Sequence, residues 1–134
     1  MSIQPVPQGT FSFLQNLPIV VEASAAQLSS DAGLLAIREF DEGIRLTYSF
    51  AAVLNDPRDC KRFEHSFLDM SRARIYGILA DYVDQNDHDT LRSDPVFKLI
   101  ADRLPDDADL ASQPTLSRFE NAIDIPSLKR LREQ

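Results

Sequence analysis

Leu110-Ala111-Ser112-Gln113-Pro114-Thr115-Leu116-Ser117-Arg118-Phe119-Glu120-Asn121 reads as a helix that presents a polar face. Leu116, Phe119 and Ala122 recur at helical spacing and share one side. Ser117, Arg118 and Asn121 point away from that side, with Thr115 beside them at the start. Pro114 falls in the first turn, where a missing N–H is tolerated, and Ser112 stands where an N-cap would. Small hydroxyls, an Arg and an Asn at a helix N-terminus are the groups a major-groove helix offers to base edges and phosphates. The same pattern suits a capped surface helix whose apolar side lies in the core.

Working outward from this stretch, helical signals dominate. Ser30 is placed to cap a helix starting at Asp31, with Leu34, Leu35, Ile37 and Phe40 as its apolar side. Gly43 is expected to break it, and Ile44–Leu54 to resume with Leu46, Phe50, Val53 and Leu54. Asn55-Asp56-Pro57 is a stop-and-turn signal. The longest helix is expected from about Asp59 to Tyr82, burying Phe67, Leu68, Ser71, Ile75, Ile78, Leu79 and Tyr82 and turning His65, Arg72 and Tyr76 outward. A single turn near Thr90–Leu91 and a helix capped by Ser93, with Pro95 in its first turn and running through Leu104, follow. Pro105–Asp109 is an acidic loop, and Ile125-Pro126-Ser127 opens a basic amphipathic segment that reaches Gln134 without a C-cap. Upstream, Ile19-Val20-Val21 reads as a short strand that pairs with Phe11–Leu14 or with something outside the chain.

The expected fold is therefore mostly α: a multi-helix bundle with a helix-turn-helix-like part and a short N-terminal strand or hairpin. Residues 1–18 form a flexible or extended segment, residues 19–124 the helical domain, and residues 125–134 the start of a linker helix. With 134 residues and 43% hydrophobic content the chain can build one real core. No run approaches the roughly 20 apolar residues of a membrane span, and no export signal leads the chain. Cys60 is the only cysteine, which excludes an internal disulfide and a thiolate zinc cluster and fits a reducing cytoplasm.

A net charge of −7 opposes a globally basic nucleic-acid surface. The charge is uneven. Asp81–Asp109 is aspartate-rich, with only Arg92, Lys98 and Arg103 against it, whereas bases prevail in Arg58–Arg74 and in Ser112–Gln134. Any DNA face is thus local. Asp84, Asp87, His88 and Asp89 gather possible ligands, yet the calcium-loop glycine and glutamate are missing and one imidazole is too few for zinc, so an Asx-rich turn explains them better. No Gly-x-Ser-x-Gly elbow or glycine-rich phosphate loop exists, so neither a catalytic residue nor a cofactor is expected.

Three blocks together resemble a known family. They are Leu28-Ser29-Ser30-Asp31-Ala32-Gly33-Leu34-Leu35, Tyr82-Val83-Asp84-Gln85-Asn86-Asp87-His88-Asp89-Thr90-Leu91-Arg92-Ser93-Asp94-Pro95, and Leu110–Asn121. In this order and spacing they are similar to the N-terminal region of bacterial insertion-sequence DDE transposases, in the branch that mobilises neighbouring resistance genes. Asp56-Pro57-Arg58-Asp59 and Arg74-Ile75-Tyr76-Gly77 also fit. Where the family often carries a glycine pair, this chain has Ser24-Ala25-Ala26-Gln27. The resemblance implies that an RNase H-like domain follows, in which three carboxylates hold two metal ions. It therefore implies no catalytic and no metal-binding residue in this chain, which ends before the first of those aspartates.

Two functional readings stand. In the first, the chain is the non-catalytic DNA-binding and assembly region of a transposase, engaging transposon-end duplex DNA or a second protomer. Thr115, Ser117, Arg118 and Asn121 face the groove, and Arg72, Arg74 and Arg92 meet phosphates. In the second, it is a stand-alone acidic module that binds a basic protein partner, inhibiting its parent transposase or another nucleic-acid-handling protein. Neither reading involves a membrane.

Overall fold

Caps and apolar repeats do set the helices, but which face each helix buries is decided as much by polar partners. The computed structural model describes residues 8–14, 17–22, 31–54 and 65–133. The expected Ser30 cap, the Asn55-Asp56-Pro57 turn, Cys60, the Ser24–Gln27 segment and the basic residues Arg58, Lys61 and Arg62 lie outside them. The described residues form a mostly helical fold with one β-hairpin: β1 Gln8–Phe11, β2 Ile19–Glu22, α1 Leu34–Ile44, α2 Leu46–Ala52, α3 Phe67–Leu79, α4 His88–Leu91, α5 Pro95–Ile100, α6 Gln113–Ala122 and α7 Ile125–Arg132. A 3₁₀ turn, Gln85–Asp87, leads into α4.

The strand pairs within the chain, in an antiparallel register from Gln8↔Glu22 to Phe11↔Ile19. Pairing therefore uses residues 8–11 and not the expected Phe11–Leu14. At Ser12 the chain leaves the ribbon, because its backbone N–H and hydroxyl both donate to the Glu39 carboxylate of α1, at 2.8 and 2.7 Å. Phe13 then drops into the core.

The break between α1 and α2 falls at Arg45, held at φ 57°, and not at Gly43, which stays helical. Its cause is Asp41. That carboxylate accepts the backbone N–H of Thr47 at 2.9 Å and its hydroxyl at 2.6 Å, capping α2 from across the kink. The face of α1 is also turned relative to expectation: Leu34, Leu35, Arg38 and Asp41 are buried, while Ile37 and Phe40 are exposed.

Helix α3 starts at Phe67, capped by the Ser66 hydroxyl on the Asp69 N–H, and the expected start near Asp59 lies outside the described residues. It buries Phe67, Met70, Ser71, Arg72, Ala73, Tyr76 and Gly77. The expected outward positions Arg72 and Tyr76 are inside, and the expected core residues Ile78 and Leu79 are exposed. The rotation follows from hydrogen bonds: Tyr76 and Arg72 satisfy buried partners that an apolar stripe could not. Further along, Asp94 rather than Ser93 caps α5, and that helix ends at Ile100 instead of Leu104, as Asp102 turns to φ 61°. Asp124 caps α7 through the Ser127 N–H.

Two apolar clusters organise the fold. One joins Phe13, Leu34, Leu35, Tyr76, Phe97 and Ile100 between the hairpin, α1, α3 and α5. The other joins Leu54, Phe67, Met70, Leu116 and Phe119 under α6.

Candidate nucleic-acid interface

Helix α6 is seated by its apolar side. Leu116 and Phe119 are buried, and Phe119 meets Phe67 edge-on with ring centroids 5.0 Å apart. Ala122, expected on the same side, is exposed. Arg118 and Asn121 face solvent, with Thr115 and Ser117 half-buried beside them. These four residues lie on one helix as the sequence implies. Arg118 donates to the Thr115 hydroxyl at 3.2 Å, so the guanidinium lies along the first turn.

The start of α6 is held differently from the sequence reading. Ser112 occupies the N-cap position, but its hydroxyl sits 3.1 Å from that of Thr115 and makes no cap bond. The Asp89 carboxylate of α4 accepts the Gln113 N–H instead, at 3.2 Å. A carboxylate already at this N-terminus opposes phosphate capture there. What this helix offers to a ligand is therefore its side chains. The connection from α5, residues 101–112, is also longer than the tight turn of about 3–4 residues in a helix-turn-helix. Side-chain ties, not a tight turn, position α6.

Arg74, Arg92 and Arg72 are those ties and others like them. Arg74 of α3 pairs with Glu120 of α6 and lies 3.4 Å from His88 Nε2. Arg92 donates to the Leu110 carbonyl at 3.2 Å, while the Leu110 N–H donates to the Arg92 carbonyl at 2.9 Å, bracing the loop before α6. Arg72 is 4% exposed and donates to Asp102 at 2.7 Å and to the Thr47 hydroxyl at 3.1 Å. The structure thus groups Thr115, Ser117, Arg118 and Asn121, gives Arg74 and Arg92 intramolecular partners, and removes Arg72 to the interior.

The buried polar core around Arg72 escaped the sequence reading. Arg38 donates to the Ile100 carbonyl, Glu42 and Asp102 at 2.8–2.9 Å, and stacks 4.9 Å from the Phe13 ring centroid. Asp41 accepts from Tyr76 as well as from Thr47. Burial by itself would raise the Asp41 carboxyl, but the bonds from Thr47 and Tyr76 outweigh it and hold it below the usual range. Tyr76 is pushed strongly upward by its burial and by that bond. His88 is lowered by burial and then by Arg74. The signal was present in the sequence: Arg38 and Asp41 fall in helical phase with Leu34.

Carboxylate-bound metal ions, which DDE chemistry requires, do not fit these residues. Asp84, Asp94 and Asp124 cap turns and helices, Asp102 and Glu120 pair with arginines, and Asp41 holds Thr47 and Tyr76. Among the described residues, no three His, Cys, Asp or Glu side chains gather as a metal-holding group. No described helix is long and apolar enough to cross a membrane.

An α-helical domain with a hairpin packed on α1 and the polar faces of α6 and α7 turned to solvent is the class these features define. Residues 11–134 match the family described as transposase DDE domain group 1, and the chain belongs to that family. Its role is therefore related to transposition and DNA recombination. No curated relative and no solved structure matches the chain.

Proposed function

We propose that this chain is a non-catalytic DNA-binding and assembly region of an insertion-sequence transposase, and that α6 reads the terminal repeats of the element. The observation that carries this reading is the exposed Arg118 and Asn121, flanked by Thr115 and Ser117, on a helix locked from beneath by Leu116 and Phe119. A rigid helix with an Arg, an Asn and two hydroxyls suits bidentate contacts to purine edges and single bonds to phosphates. The basic α7, with Lys129 and Arg132 exposed, continues the same region of the chain and supplies phosphate contacts. Carboxylates engaged as caps and ion-pair partners support the non-catalytic part of this reading.

The acidic-module alternative loses support in the loop that suggested it. Lys98 reaches in to bond the Pro105 and Asp107 carbonyls and lies 3.3 Å from Asp109, and Arg103 donates to the Ala108 and Asp109 carbonyls. Within that segment Asp102 and Asp109 are paired with cations of the chain itself. The test is binding of transposon-end and random duplexes at fixed salt. Arg118→Ala is expected to lose about 1–3 kcal/mol on the cognate end and far less on random DNA. Equal losses on both duplexes, or none, would remove base reading from Arg118.

A further inference from the structure

Residues 85–89, whose polar side chains suggest a metal turn in the sequence, grip α6 at both ends. Near its start the Asp89 carboxylate accepts the Gln113 N–H. Near its end the Gln85 side-chain amide donates to one oxygen of Glu120, and Arg74 of α3 donates its Nε–H to the other. Leu116 and Phe119 seat α6 from beneath, but apolar contacts alone leave a helix free to roll. A carboxylate held on both oxygens does not. Glu120 stands beside Asn121 and two residues from Arg118, so its anchoring sets how those side chains are presented.

Arg74 is itself oriented by His88. Its Nη1 lies 3.4 Å from His88 Nε2, and its Nη2 donates to the Val83 carbonyl at 3.4 Å. A guanidinium only donates, so the Nε2 facing it accepts, and the proton of the neutral ring sits on Nδ1. The ring is 2% exposed and lies against α3 at Gly77, where a Cβ would come within 3.0 Å of Nε2 and 3.1 Å of Cε1. A glycine inside a helix costs about 1 kcal/mol relative to alanine; here it admits the imidazole one turn from Arg74. The charged groups around the ring are Arg74 from α3, Glu120 from α6, and Asp87 and Asp89 from its own segment. Protonation would replace the acceptor by a donor and set two cations against each other. We infer that residues 85–89 position α6, with neutral His88 as the acceptor that fixes Arg74 on Glu120. The consequence for DNA rests on the function proposed above; the clasp itself does not.

NMR of the whole chain without DNA tests the clasp. At neutral pH the ring nitrogens of His88 are expected to show the Nδ1–H tautomer, and the Arg74 Nε–H signal to lie downfield in its bond to Glu120. As pH falls below 6.5 and the ring protonates, the Arg74 signal is expected to move toward that of a free guanidinium with the same midpoint as the ring. His88→Gln, whose amide oxygen still accepts, is expected to keep the downfield signal across the range, and His88→Leu to lose it throughout. An Nε2–H tautomer, or an Arg74 signal indifferent to the ring's titration, overturns the inference, and the wild type alone decides this if a variant fails to fold. On a transposon-end duplex at neutral pH, His88→Leu is expected to weaken binding about tenfold and His88→Gln less than about twofold. Equal losses in both variants reduce His88 to packing and overturn the inference as well. If Arg118→Ala shows no base reading, the function proposed above fails, while the NMR titration still decides the clasp.

Discussion

At the residue scale, Asp41 does the work expected of a glycine. It sets the α1–α2 kink by accepting from Thr47 twice and from Tyr76 once, within reach of the Arg38 charge. Asp41→Ala strands these donors in a buried site and is expected to cost about 2–4 kcal/mol in urea unfolding. Asp41→Asn, which keeps one acceptor, is expected to lose less. His88 makes a pH prediction of a different kind. Its folded pKa is lowered from 6.5 by burial and by Arg74, against the opposing charges of Asp87, Glu120 and Asp89. Protonation thus favours the unfolded chain: stability is full above pH 6.5 and falls as pH drops below it toward the folded value. Asp41 acts lower, with stability present above 3.8 and lost as pH falls further. Stability of His88→Gln measured against pH is expected to lose the upper slope and keep the lower one. An unchanged upper slope would assign it to another group.

At the element scale, caps are testable one at a time. Asp94 accepts the Val96 N–H at 2.8 Å, whereas the Ser93 hydroxyl donates to the Thr90 carbonyl. Asp94→Ala is therefore expected to destabilise the chain by about 1 kcal/mol, and Ser93→Ala by less than about 0.5. This pair also shows how legible the elements were. Pro95, Pro114 and Pro126 mark helix starts that the structure keeps, because proline tolerates only the first turn. The α6 side chains were legible for the same reason: Leu116 and Phe119 have no competing polar partner. Apolar periodicity misled where polar groups go inside together. Arg72 and Tyr76 break the stripe of α3, and Arg38 and Asp41 that of α1, yet each is satisfied by a partner 30 or more residues away. Only tertiary pairing decides such faces, and a local period cannot report it.

At the scale of the whole molecule, the question is how a chain of net charge −7 could hold DNA. Among the described residues several cations are committed: Arg38 and Arg72 to Asp102, Arg74 to Glu120, Lys98 to Asp109, and Arg130 to the Val53 carbonyl. Lys129 and Arg132 on α7, with Arg118 on α6, are exposed. Each phosphate contact adds about 0.9 to the slope of log affinity against log salt, so Lys129 and Arg132 together predict a slope near −2. Under the proposed function such a shallow slope fits an accessory grip, selectivity then resting on base contacts from α6. Lys129→Ala is expected to reduce the slope by about 1 and to weaken cognate and random duplexes equally. Arg118→Ala is expected to leave the slope nearly unchanged while weakening the cognate end alone. A titration in which Arg118→Ala flattens the slope and Lys129→Ala does not would exchange their roles, making α6 the phosphate clamp and moving sequence recognition to another element.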